Sequence, residues 1–333
     1  MSKGLLPDSY GFEISDKFDD KEYEHFLTEY VPVLSRRAKR WQEMGSFRED
    51  CFQNKGYFES KKLKRFIRKG IPSSLRPKVW LLISGAEAMI REHPQEFARL
   101  CSAPVRSTSA DVIKLDIGRT FPDNENFRDF QGEIVKEQLR SILHAIAIKH
   151  PDIGYCQGLN YIAAMLLLVL KSPEEAFWLL DKMLFEVPDY YSPLMKGLKC
   201  DAKVLNELLR LKCAEVHDLL QFLGLDLLLV VSKWFICWFM ESLPIETVLR
   251  IWDCLFYEGP KILFRVAITL ILKKKSELLR CHTFDELLMV FKSMTEDPKA
   301  LYCHTFMQEI FELPGSFPGG TIQQLRKRFH PLV

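Results

Sequence analysis

The 333-residue sequence predicts an all-α protein. Three observations carry this. Apolar residues recur three or four apart almost everywhere, no segment alternates in the manner of a strand, and no hairpin dipeptide joins apolar runs. Gly (16) and Pro (17) are also too scarce for an architecture built on many special turns.

The elements follow in order. A helix is expected over Asp20–Glu43, broken near Pro32, because proline removes a backbone donor. The run Lys61-Lys-Leu-Lys-Arg-Phe-Ile-Arg-Lys69 places Leu63, Phe66 and Ile67 on one helical face. Arg76 and Trp80 fall on an early helix opened by Ser73 or Ser74, with Trp80 in the core. From Glu133 to His150, Ile134, Leu139, Ile142, Leu143 and Ile146 line one face before Pro151 stops the helix. Ser172-Pro-Glu-Glu175 has the N-cap, N1 and N3 residues of a helix start, and Thr283-Phe-Asp-Glu286 repeats the capping box. Further helices open at Pro244 and run from Ile262 to Lys275, the latter basic at its end as the macrodipole favours.

Composition excludes several classes. Hydrophobic residues make up 47% and charged residues 27%, so a packed core is expected and disorder is not. A net charge of +2 gives no global bias toward nucleic acid or membrane. Nine scattered cysteines without a CxxC pair read as reduced thiols, and the N-terminus lacks the apolar region of a secretory signal. The longest apolar run, Tyr161–Leu170, is about half of the ~20 residues a membrane span needs. No lipidation signal stands at either end. There is no GxxxxGK[ST], GxGxxG, HExxH or GxSxG motif. Neither Cys281-His282 nor Cys303-His304 has a second ligand pair at finger spacing. No metal and no cofactor of the chain's own is expected.

One stretch departs from neutrality. Between Arg36 and Lys78 stand fourteen Lys or Arg against four acids, Glu43, Glu49, Asp50 and Glu59. A solvated surface helix accounts for this, as does a weak contact with anionic lipid through residues 61–69. Nucleic acid is not an expected partner, since the interleaved exposed aromatics of a known module are missing.

Three segments stand out together. The first, Lys69-Gly-Ile-Pro-Ser-Ser-Leu-Arg76, leads into Arg76-x3-Trp80. The second is Ile113-x2-Asp116-x2-Arg119, and the third Tyr155-Cys-Gln157-Gly-Leu-Asn160 ahead of a long apolar helix. Farther along come Ser232-Lys-Trp-Phe235, Phe239, Leu243-Pro244, Trp252-Asp-Cys-Leu-Phe256 and Glu258-Gly259. In order and separation this set resembles the TBC (Tre-2, Bub2, Cdc16) domain of Rab GTPase-activating proteins, over roughly residues 66 to 310.

The resemblance implies a single elongated multi-helix TBC domain at 66–310, with a helical N-terminal extension at 1–65 and a tail at 311–333. It implies that Arg119 is an arginine finger and Gln157 a glutamine finger, acting in trans on a Rab-family GTPase in its GTP form. The partner would bring its own Mg-GTP. The chain would then be no independent enzyme but an activator, with a non-catalytic GTPase-binding scaffold as the alternative. Asp116, Tyr155, Asn160, Arg76 and Trp80 would be supports. A helical turn would let Asp116 and Arg119 pair across three residues. Tyr155 would pack or hydrogen-bond behind the fingers, and Asn160 would cap or brace the next helix. Gly118 would permit close approach of the partner, and Phe121 would be buried or touch it. The expected setting is the cytoplasm, in vesicle trafficking, peripheral to membranes through the Rab partner.

Overall fold

A computed structural model describes residues 8–13, 20–44, 55–104, 106–318 and 320–333. Cys51, Gly319 and the Arg48-Glu49-Asp50 part of the basic stretch lie outside the described residues. Among the described residues the architecture is all-α, and the one non-helical pairing is an isolated bridge between Phe12 and Asn124. No single described helix is long and apolar enough to cross a membrane. The chain forms two compact units, Met1–Glu186 and Val187–Val333.

The first unit begins with α1 (Asp20–Glu43), α2 (Lys55–Phe58) and α3 (Lys61–Lys69). The expected break at Pro32 is absent: α1 runs through it. Proline there forgoes one backbone hydrogen bond, and the buried anchors Phe26, Tyr30 and Trp41 on both sides hold the helix together. Trp41 donates Nε1 to the Gly70 carbonyl at 3.0 Å and stands edge-on to Phe66, which fixes α1 against α3. Ser60 caps α3 by accepting from the Leu63 N–H at 3.1 Å, while Leu63 and Ile67 form its buried stripe.

Next come α4 (Arg76–Ser84), α5 (Ala86–Glu92), α6 (Glu96–Ser102) and α7 (Ser107–Gly118). Neither Ser73 nor Ser74 opens α4. Its N-cap is Leu75, and the Pro72 carbonyl accepts from Leu75 and Arg76, so a backbone turn does the work expected of a serine hydroxyl. Trp80 is buried as expected.

After the short turn η1 (Glu125–Phe127), α8 (Asp129–Lys149), α9 (Leu159–Leu170) and α10 (Pro173–Glu186) complete the unit. Leu139, Ile142, Leu143 and Ile146 form the buried stripe of α8, but Ile134 is exposed, because the first turn packs on η1 through Gly132 and Ile134 lies on the opposite side of the helix. Apart from Asn160 in its first turn, helix α9 is apolar all round; it is buried except at Tyr161, and it packs against both α8 and α10. Each of its Leu, Ile or Met side chains contributes about 1.5–3 kcal/mol by leaving water. Ser172 accepts from the Glu175 N–H at 3.3 Å at the start of α10. The buried Asp181 takes His150 at 2.6 Å.

The second unit contains α11 (Lys196–Lys212), α12 (Ala214–Phe222), α13 (Leu227–Ile236), α14 (Ile245–Glu258), α15 (Lys261–Lys273) and α16 (Lys275–Leu278). Then follow α17 (Phe284–Ser293), η2 (Pro298–Leu301), α18 (Cys303–Glu312), α19 (Thr321–Phe329) and η3 (His330–Leu332). Thr283 and Glu286 form the reciprocal capping box of α17. Trp252 donates to the Trp238 carbonyl at 3.0 Å, holding the corner after α13 where Trp238 and Phe239 both take positive φ (47° and 66°). Arg326 of α19 clasps the buried Asp201 of α11 with two hydrogen bonds of 2.7 and 2.6 Å, and Tyr190 donates its hydroxyl to the same carboxylate.

Candidate functional site

The Arg119 and Gln157 segments meet in the first unit. Helix α7 buries Ile113, Asp116 and Ile117 and exposes Val112, Leu115 and Arg119, a division set by its 3.6-residue period. Asp116 lies in the last turn and Arg119 is the C-cap, its N–H donating to the Asp116 carbonyl at 3.1 Å. The Arg119 guanidinium reaches Asp116 Oδ1 at 2.7 Å while its side chain stays 52% exposed. The carboxylate is therefore sunk and the cation is open to solvent.

The other carboxylate oxygen, Oδ2, accepts the Tyr155 hydroxyl at 2.6 Å. Burial, then this hydrogen bond to a carboxylate, pushes the Tyr155 phenol far above its usual range, so it remains a donor. Burial and the Asp116 charge likewise push the Cys156 thiol up to about 11. Gln157 is exposed, and its amide has no hydrogen-bond partner among the described residues.

A second link runs behind the first. Asn160 accepts from the Gly158 N–H at 3.0 Å and donates Nδ2 to Thr120 Oγ1 at 2.8 Å. Thr120 in turn donates its hydroxyl to the Asp116 carbonyl at 2.7 Å. Asn160, Thr120 and Asp116 are all buried, so this bonding proceeds out of water. Gly158, the N-cap of α9, holds φ 109°, a conformation that glycine adopts without strain. The two segments thus form one hydrogen-bonded body with an arginine and a glutamine at its surface.

Other expected site residues fall as follows. Arg76 is buried and donates to the Tyr10 hydroxyl at 3.0 Å, so it does not face solvent. Trp80 is core. A Cβ on Gly118 would meet nothing within 4 Å, so the chain's own packing does not require glycine there. Phe121, left open by the sequence, is half-buried, its ring 4.9 Å from Phe12, 5.5 Å from Tyr161 and 5.9 Å from Phe127. Sequence reasoning missed Thr120 as the middle of the buried link and missed residues 8–13 altogether. The latter carried one signal, an Asp three residues before a Gly, the pattern of an Asx-type turn.

An all-helical body that presents an Asp-held arginine beside a Tyr-x-Gln loop defines a class. A family profile for the Rab-GTPase-TBC domain matches residues 73–279, and the chain belongs to that family. Growth hormone-regulated TBC proteins are among its relatives. The human growth hormone-regulated TBC protein 1 is 43% identical over 321 residues, covering 96% of this chain and 94% of the relative. A growth hormone-regulated TBC protein 6 of Caenorhabditis elegans is 37% identical, covering 92% and 86% of the respective chains. Among solved structures, the Chlamydomonas flagellar RabGAP TBC domain superposes with a TM-score of 0.75 at 29% identity, covering 93% of this chain and all of that one.

Proposed function

We propose that this protein accelerates GTP hydrolysis by Rab-type small GTPases, with Arg119 and Gln157 entering the partner's nucleotide site. The observation that carries the proposal is the division of the Asp116 carboxylate, one oxygen on Arg119 and the other on Tyr155. Intrinsic hydrolysis is slow because charge develops on the phosphoryl oxygens and the attacking water is poorly held. An arginine supplied in trans neutralises that charge and raises the rate by roughly 10³–10⁵, or about 4–7 kcal/mol of barrier. The Gln157 amide both donates and accepts, as positioning a water requires. Asp116 orients the guanidinium beforehand, so less freedom is lost in the complex. Magnesium and nucleotide belong to the partner.

The test is phosphate release from a panel of GTP-loaded Rabs with catalytic amounts of protein. Acceleration that falls by about two to three orders of magnitude in Arg119→Ala and in Gln157→Ala supports the reading. Acceleration that survives both variants refutes the finger roles. Flat traces with wild type on every Rab would leave a binding scaffold as the surviving function.

A second reading concerns residues 61–69. Arg65 and Lys69 of α3 gather with Arg37 and Arg40 of α1 closely enough that, after burial, these cations hold the Lys69 ammonium below its usual range. Such a cluster favours a weak contact with anionic lipid.

A further inference from the structure

The segment 8–13 is closed on itself and fastened to the turn that follows Arg119. The Asp8 carboxylate accepts from the N–H groups of Tyr10 (2.8 Å) and Phe12 (3.0 Å), and the Gly11 N–H donates to the Asp8 carbonyl at 3.0 Å. Gly11 holds φ +82°, and a Cβ there would fall 2.2 Å from Asn126 Nδ2. Only glycine lets the knot sit this close.

Its outward bonds converge on residues 121–128. The Tyr10 carbonyl accepts from Nδ2 of both Asn124 (3.0 Å) and Asn126 (2.9 Å). The Glu125 N–H donates to the Gly11 carbonyl at 2.9 Å, and Glu13 pairs with Arg128 at 2.7 Å. The Tyr10 hydroxyl accepts from the buried Arg76 at 3.0 Å. The Phe12 ring meets Phe121 edge-on at 4.9 Å and 80°.

Phe121 stands two residues after Arg119 and holds φ +48°, a left-handed conformation that a non-glycine residue keeps only when its surroundings fix it. Three rings surround it, and Phe12 is the one supplied by the N-terminal knot. On its other side, Arg119 is held by Asp116. The position of the Arg119 backbone is therefore set from α7 before it and from the Phe121 conformation after it. The knot lies outside residues 73–279, the stretch that the family profile matches.

We infer that residues 8–13 are a positioning element for Arg119, with Phe12 and Tyr10 acting through Phe121 and the 124–128 turn. This rests on the role proposed for Arg119 in GTP hydrolysis. Loss of the knot lets Phe121 relax out of the left-handed region, and the arginine then spends less time in the geometry that meets the phosphates.

The experiment uses the 333-residue chain and a Rab that wild type activates, with kcat and KM measured separately. Phe12→Ala and removal of residues 1–13 are expected to lower kcat by about tenfold or more, since small misplacements of a catalytic group are costly. KM should change by less than about threefold, and Phe12→Tyr should restore near-wild-type kcat. In an Arg119→Ala background, Phe12→Ala should lower kcat no further, because its effect passes through that arginine. Thermal unfolding of each variant identifies any loss that comes from unfolded protein. Wild-type kcat in both the truncated chain and Phe12→Ala overturns the inference, as does a Phe12→Ala loss that persists in full without Arg119. Flat wild-type traces would sink the activator reading and this inference with it, a result distinct from active wild type with indifferent knot variants.

Discussion

Replacing Asn160 with alanine tests the buried link between the two segments. Asn160 makes two side-chain hydrogen bonds, from Gly158 N–H at 3.0 Å and to Thr120 Oγ1 at 2.8 Å. Each contributes about 1 kcal/mol net, and stranding the buried Gly158 donor costs about 1–3 kcal/mol more. Thr120 keeps its bond to the Asp116 carbonyl and loses only a donor to its oxygen. The expected destabilisation is about 3–5 kcal/mol, larger than most single substitutions cause. Urea unfolding measures it, and amide hydrogen exchange at Gly158 shows where it falls, since that N–H loses its acceptor. A cycle with Thr120→Val should return a coupling of about 0.5–3 kcal/mol, because the two residues share one bond. In the hydrolysis assay kcat should drop by about tenfold or more, as Gln157 precedes the unlatched Gly158. A loss under about 0.5 kcal/mol with unchanged Gly158 exchange would refute the link.

Further outcomes are expected at other positions. Cys156 should alkylate slowly at pH 8, its rate rising only as pH approaches about 11, since burial and Asp116 favour the neutral thiol. The same shift means that the folded state holds this proton longer than the unfolded chain, so stability declines as pH rises from about 9 toward 11, readable by urea titration. Leu115, 73% exposed one turn before Arg119 on the same face of α7, should contact any GTPase that the arginine reaches, so Leu115→Asp should raise KM about tenfold and leave the melting temperature unchanged. Asp201→Asn breaks the buried clasp on Arg326 and should cost about 3–5 kcal/mol in unfolding measurements, because the arginine loses its counter-ion. Sedimentation with anionic vesicles should be weakened by reversing the charges of Arg40, Arg65 and Lys69 together, and weakened again by raising salt above 0.15 M, roughly where the Debye length is 8 Å.

The parts of the fold that sequence reading reached are the local ones. The stripe of α3, the capping box of α17 and the long apolar run of α9 follow from helical period and cap chemistry within a few residues. Pro32 and Ile134 were misread for a common reason: a local rule was overruled by what packs against the helix, support at one position and none at the other. The turn before α4 was misread because backbone carbonyls leave no trace in residue identity. In the site, the pairing of Asp116 with Arg119 follows from their three-residue spacing. The partners of Tyr155 and Asn160 lie 39 and 40 residues away, and only the fold brings them together. Tyr10 binds Asn124 across 114 residues, and the Asp8–Gly11 spacing can signal a turn but not the surface it serves.

In the role proposed for it, the exposed guanidinium on its sunken carboxylate would be poorly replaced by a lysine. An arginine has five N–H donors in a rigid fork, and Asp116 occupies one nitrogen of it. With the side chain half open to solvent, donors remain for a second anion, which in the proposed role would be a phosphate of the partner. An ammonium is a single point of charge on a flexible stem. Held by Asp116, it would have little left to offer a visitor; released, it would arrive without a fixed direction.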